Sequence, residues 1–285
     1  MKPRFVLLSL MMCFLPQLAN AQFIPNQAIS QENQTARLCT TGRPESQIAG
    51  FTEAIAETGA QMRVPMADRN FERALQLWNP LAQSGDICSI IRYGQALKLA
   101  GQTEQALTWY QKGADTGSAF AQYVLAAYIR NDDVGTCSQM RELLEKSARQ
   151  GYIHSIISLA QSYDNDNFCR DRNIELAKHW YEIGANVGSA VAQHNLGYLI
   201  LTYGARSDYP RAWAWISLAQ LQPVVAERRV EYEADYGTGY LRTLSRRMGQ
   251  GGITEGLEAA QLICLETAAC RNIAQDVLAG FFAGN

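Results

Sequence analysis

Between Glu104 and Gly204 small and large apolar residues return in a fixed order. Three stretches, Glu104–Thr136, Ser138–Arg172 and Asn173–Ala205, superpose on one another. Ala106, Met140 and Ala177 begin the match. Eight residues on stand Ala114, Ala148 and Ala185, and three further Gly117, Gly151 and Gly188. Ala121, Ser155 and Ala192 follow, then the pairs Leu125-Ala126, Leu159-Ala160 and Leu196-Gly197. Phe71 to Gly101 keeps the same order with Ala74, Ala82, Gly85, Ser89, Tyr93 and Gly94. At about 100° per residue, positions 0, +3, +4, +7, +8 and +11 fall on one helix face. Each stretch therefore predicts two helices with a turn at the glycine, where a positive φ stops the first helix. Small residues at 0 and +8 admit a neighbouring helix. The large pairs at +3 and +4 (Leu77-Trp78, Trp109-Tyr110, Leu143-Leu144, Trp180-Tyr181) fill the space between. Successive turn glycines lie 32, 34 and 37 residues apart. The extra residues fall in loops between units, where added length costs little.

The flanks continue the scheme. Ile48, Phe51 and Ile55 predict a helix over Pro44–Gly59 that covers the open face of the first unit, with Gly59 ending it. Tyr209-Pro210 opens a fifth first helix, which runs through Trp213 and Trp215 to Ala219 with Pro223 where the glycine should be. Val224–Met248 reads as a terminal helix, Gly249-Gln250-Gly251-Gly252 as a break, Ile253–Thr267 as another helix and Asn272–Phe282 as a last short one. The fold class is all-α: an α-solenoid of helix-turn-helix repeats, wound as a right-handed superhelix, with capping helices. Residues 1–21 form a signal peptide and 22–70 an arm and capping helix. Residues 71–222 hold about four full units plus a fifth first helix, and 223–285 a C-terminal helical cap.

Composition narrows the setting. An apolar share of 47% with mixed charge excludes a disordered chain. The formal charge is −2; loss of Lys2 and Arg4 with a leader leaves 23 basic and 27 acidic residues, hence −4. No basic stripe is present, so nucleic acid is not an expected partner. Lys2 and Arg4, the apolar run Phe5–Leu15, Pro16 and Ala19-Asn20-Ala21 have the layout of a secretory leader cleaved after Ala21. Eleven apolar residues are too few to span a bilayer as a helix. The expectation is a periplasmic or secreted protein with no stable membrane span. Six cysteines remain beyond Cys13, and an even count in an oxidising compartment suggests disulfides.

Catalytic motifs are sparse. His154, His179 and His194 have no Ser, Cys or Glu at a motif spacing. Asp164-Asn165-Asp166-Asn167 begins like a calcium loop, but Phe168 and Cys169 stand where a ligand and glycine belong. The glycines at 249–252 have no lysine and no preceding strand, which rejects a phosphate loop. No C-x-x-C occurs, so neither a metal nor a cofactor is expected. What does not repeat is a polar ladder at +2, +5, +6 and +9 of the first helices. It comprises Gln76, Asn79 and Gln83, then Thr108, Gln111, Lys112 and Asp115, then Glu142, Glu145, Lys146 and Arg149, then His179, Glu182 and Asn186. In the fifth helix it turns apolar, with Ala214, Leu218 and Leu221 beside Trp213. That end is either part of a site for a peptide or protein or a surface covered by the following helix.

The run Ala177-Lys178-His179-Trp180-Tyr181, with Ala185, Gly188, Ala192, Leu196 and Gly197, resembles the Sel-one-like repeat family, relatives of the tetratricopeptide repeat. Ala106–Ala126 is similar, and the resemblance covers about Phe71–Leu221. It implies a helical superhelix whose inner surface binds proteins or glycans. Some exported cysteine-rich relatives bind or hydrolyse β-lactams, but they carry a cysteine pair inside each unit, which this chain lacks. In antiparallel hairpins equivalent helix ends share an edge. That placement gives the expected pairs Cys39–Cys88 and Cys137–Cys169; Cys264 and Cys270 remain, and their pairing needs a turn near Glu266–Ala269. The resulting expectation is an exported scaffold or adaptor for protein–protein interaction in the cell envelope, without catalysis of its own. The alternatives are an envelope enzyme or binder for peptidoglycan or β-lactam-like substrates, and a glycan-binding module.

Overall fold

A computed structural model describes residues 45–65, 68–132, 134–164, 169–222 and 235–283. Among them are twelve α-helices and no strand. They are α1 (Glu45–Arg63), α2 (Glu72–Gln83), α3 (Ile87–Leu99), α4 (Thr103–Asp115), α5 (Ala119–Asp132) and α6 (Cys137–Arg149). Then come α7 (Ile153–Asp164), α8 (Ile174–Asn186), α9 (Ala190–Tyr203), α10 (Tyr209–Leu221), α11 (Asp235–Glu266) and α12 (Gln275–Phe282). From α1 to α10 each helix packs chiefly on the next. This is the quasi-one-dimensional stacking of an α-solenoid.

Local chemistry sets the element ends. Gly85, Gly117, Gly151 and Gly188 have φ of 86°, 81°, 84° and 90°. Each donates its N–H to the alanine three residues back, Ala82, Ala114, Ala148 and Ala185. Second helices begin on side-chain caps: the Asp86 carboxylate accepts from the Ser89 N–H at 2.7 Å, and the Ser189 hydroxyl from the Ala192 N–H at 3.4 Å. Thr136 and Gln139 form a reciprocal capping box that starts α6.

The core follows the register read from the sequence. Ala74, Ala106, Met140, Ala177 and Ala212 at position 0 are buried, as are Trp78, Tyr110, Leu144, Tyr181 and Ile216 at +4. Each such large side chain contributes roughly 1.5–3 kcal/mol through burial. Close approach is literal at the glycines of the second helices. A Cβ on Gly94 would lie 2.7 Å from the Tyr110 ring, and one on Gly197 would lie 2.5 Å from Ile216 and 2.9 Å from the Ala212 carbonyl oxygen.

Both ends are covered. Phe51 of α1 meets the Trp78 ring edge-on at 5.1 Å, and the Trp78 N–H donates to the Thr58 hydroxyl at 3.0 Å. The expected stop at Gly59 is corrected. Gly59 does not adopt the positive φ of the turn glycines, and α1 runs on to Arg63, just before Pro65. The expected break over Gly249–Gly252 also shrinks. Gly249 alone leaves the helix (φ 71°, ψ −172°), while Gly251 and Gly252 stay helical within α11. No described helix is long and apolar enough to cross a membrane. The expected leader, residues 1–21, and Cys39 lie outside the described residues.

Candidate functional site

Position +1 of a first helix lies on the same face as +2, +5, +6 and +9. In α4 these are Leu107, Thr108, Gln111, Lys112 and Asp115, and they line a groove of about 570 Å³. Ile129 at the end of α5, Val134 in the following connector and Gln139 at the start of α6 complete it. The floor is aliphatic and the rim is polar.

The rim is built from local bonds. The Thr108 hydroxyl donates to the Glu104 carbonyl at 3.0 Å, and the Gln111 amide to the Asp115 carboxylate at 2.7 Å. Gln139 spends its carbonyl oxygen on the Thr136 N–H at 2.9 Å. The Lys112 ammonium rests 4.4 Å over the Trp109 ring, a contact that holds the cation without neutralising it. Among the described residues neither Lys112 nor Asp115 belongs to an ion pair.

Farther along the ladder charge is consumed. Glu142 pairs with Lys146 at 2.6 Å and Glu145 with Arg149 at 2.5 Å, both within α6. Glu182 pairs with Arg211 of α10. His179 is half-buried with its ring 5.6 Å from Trp180. The structure thus brings Thr108, Gln111 and Lys112 into one groove and leaves Glu142, Glu145, Arg149, His179 and Glu182 on a self-paired surface. Leu107, Ile129, Val134 and Gln139 were missed by the sequence reading. Leu107 was findable by extending the +5, +9 stripe back one turn to +1.

Trp213 is not on an exposed ladder. It is 9% exposed and stacked at 14° on Phe281 of α12, and its N–H donates to the Ser245 hydroxyl of α11 at 3.2 Å. A Cβ on Gly256 of α11 would lie 2.7 Å from its ring. Ala214, Ser217 and Leu218 are buried as well. Trp213 is thus covered, by Ser245 of the expected covering segment Val224–Met248 and also by Gly256 and Phe281 beyond it; residues 223–234 lie outside the described residues.

The sulfurs are structural. Cys137 and Cys169 are bonded with Cα atoms 5.1 Å apart, and Cys264 and Cys270 with Cα atoms 5.2 Å apart, across the turn that follows Glu266. Cys88 is disulfide-bonded too; its expected partner, Cys39, lies outside the described residues. Beside the first bond, Arg141 donates to Ser162 at 3.0 Å and pairs with Asp171 at 2.7 Å, which holds the Asp171 carboxyl below its ordinary range. Cys137, Cys169 and Asp171 form a tight cluster of ligand-type atoms, but its sulfurs are bonded to each other and its carboxylate to Arg141. Near the second bond the Ala269 carbonyl accepts from the buried amides of Gln193 at 2.8 Å and Gln222 at 3.2 Å. His194 of α9 lies against Tyr240 of α11, and burial lowers its pKa.

The Sel1 repeat pattern matches residues 57–86, 91–118, 141–152, 154–189 and 190–219. The chain belongs to the Sel1 repeat family. Three of these matches run from a second helix into the next first helix, and the match at 57–86 makes α1 the partner that precedes α2. Sel1 repeat proteins are generally scaffolds for protein interaction. Two solved structures share the fold. One is a protective antigen present in uropathogenic Escherichia coli strains displaying an SLR fold, at 19% identity and a TM-score of 0.55 over 84% of this chain and 50% of that one. The other is a Sel1 repeat protein from Oxalobacter formigenes, at 16% identity and a TM-score of 0.51 over 84% of this chain and 98% of that one. This chain spans about half the length of the former. No curated protein matches the sequence.

Proposed function

We propose that this Sel1 repeat protein is an exported scaffold that mediates protein–protein interaction in the cell envelope, with no catalysis of its own. The observation that carries the reading is the α4–α6 groove, an aliphatic floor whose rim residues Lys112 and Asp115 have no ion-pair partner among the described residues, on a stack of helices. Rigid elements present a recognition surface with little ordering cost on binding. Disulfides support export, since such bonds persist in oxidising compartments. The histidines support a non-catalytic role: His194 packs under Tyr240, His154 sits in a ring cluster with Tyr123 and Tyr152, and His179 flanks Trp180.

Fractionation of producing cells with N-terminal sequencing tests the location; a mature chain that begins at Gln22 outside the cytoplasm is expected. Chemical crosslinking in those cells, followed by purification of the full chain, should return a stoichiometric protein partner. Turnover of a labelled penicillin, or a cytoplasmic chain that retains Met1, would overturn the reading.

A further inference from the structure

The molecule contains its own example of an occupied first-helix face. Over α10 the positions +1 and +2, Trp213 and Ala214, are buried, and Trp213 is covered by Gly256 and Ser245 of α11 and Phe281 of α12. The occupant is helical, and it approaches closely enough that Gly256 has no room for a side chain. Over α4 the same register positions are Leu107 and Thr108, and no described element of this chain fills the groove they line. Charge separates the two faces. That of α10 carries no ionisable side chain at +1, +2, +5, +6 or +9, whereas that of α4 presents Lys112 and Asp115 without ion-pair partners among the described residues. An occupant that leaves both groups unmatched would forfeit affinity, because a desolvated charge without a partner is costly.

We propose that the α4–α6 groove binds an amphipathic helix of a partner protein, seated as α11 and α12 are seated on α10. The partner helix sets aliphatic side chains on Leu107, Ile129 and Val134. It also presents a carboxylate to Lys112 and a cation to Asp115. This rests on the scaffold reading and adds the secondary structure and the charge pattern of what is bound.

The test uses the full chain in producing cells, with the photocrosslinker p-benzoylphenylalanine placed at position 111 or, in a second strain, at position 179. Both sites lie on the ladder, and only the first lies in the groove. The expected result is crosslinking from position 111 to one partner, with linked residues three or four apart on a single helix. Lys112→Glu in the same strain should lower the yield at least about fivefold, with the thermal midpoint lowered by no more than about 4 °C through loss of the Trp109 contact. Links that fall in an extended segment of the partner would overturn the helical occupant and leave the scaffold reading standing. Links from position 179 alone, or a yield indifferent to Lys112→Glu, would overturn the assignment to this groove. No protein partner from either position would sink both readings.

Discussion

α10 and α4 are two copies of one helix with opposite surroundings. Trp213, Ala214, Ser217 and Leu218 are buried, Trp213 beneath the chain's own C-terminal helices, whereas Thr108, Gln111, Lys112 and Asp115 face solvent around a groove. The backbone register is shared, so the fold does not decide which surface is free. Side-chain chemistry does. An apolar stripe must be covered within the chain, while a polar rim over an aliphatic floor survives uncovered. The same repeat thus yields packing in one place and a surface available to others in another.

The largest effect should come from breaking the covered copy. Trp213→Ala removes a stacked, buried indole and is expected to cost about 3–5 kcal/mol in urea unfolding. If stability is spared and partner capture is lost instead, the covered copy is a site after all. Next are the two described disulfides, which staple the middle and the end. Cys137→Ser with Cys169→Ser opens a loop with a separation of 32 residues and should cost about 3–4 kcal/mol in the chain-entropy account. Cys264→Ser with Cys270→Ser opens one of 6 and should cost about 2 kcal/mol by the same account. Any excess at the second pair measures the buried amides of Gln193 and Gln222 that depend on Ala269. Glycine-to-alanine changes come third. Gly197→Ala, against the fixed carbonyl of Ala212, should cost about 2–3 kcal/mol, and Gly94→Ala, against the Tyr110 ring, about 1–2 kcal/mol.

A smaller, pH-dependent difference is expected at the covered end. Burial lowers the His194 pKa in the folded chain, so between that value and about 6.5 the unfolded chain binds the extra proton. Stability contributed by neutral His194 is therefore full above pH of about 6.5 and declines as pH falls below it. Unfolding midpoints at pH 7.5 and 5.5 should differ in the parent chain, and the difference should shrink in His194→Phe. An unchanged difference would assign it to other groups. The smallest effect belongs to the open copy. Gln111→Ala should change stability by no more than about 0.5 kcal/mol, since its side chain is exposed. A larger loss would show that the rim supports the fold.

Much of this was legible because it is local. Position, spacing and positive φ at Gly85, Gly117, Gly151 and Gly188 follow from one-turn geometry, and so does the small-large packing of Ala106 with Tyr110. The Cys137–Cys169 pair could be placed from equivalent helix ends. What depended on distant residues was not legible. Whether Trp213 is covered is settled by Ser245, Gly256 and Phe281, which come more than thirty residues later in the chain. Gly59 and Gly251 resemble stops as letters, yet a glycine only permits the left-handed turn, and these two remain helical. Nor did spacing reveal that Glu182 would pair with Arg211 of the next first helix.

The C-terminal cover also sets a schedule. α10 is complete once Leu221 has been made, but Phe281, which stacks on Trp213, follows roughly sixty residues later. At a synthesis rate of about 5–20 residues per second, the cover of the tryptophan-bearing face stays incomplete for about 3–12 seconds. During that interval the nascent chain displays an adhesive surface that the finished protein never shows. A holdase that recognises apolar stripes has its opportunity then, before the last helix arrives.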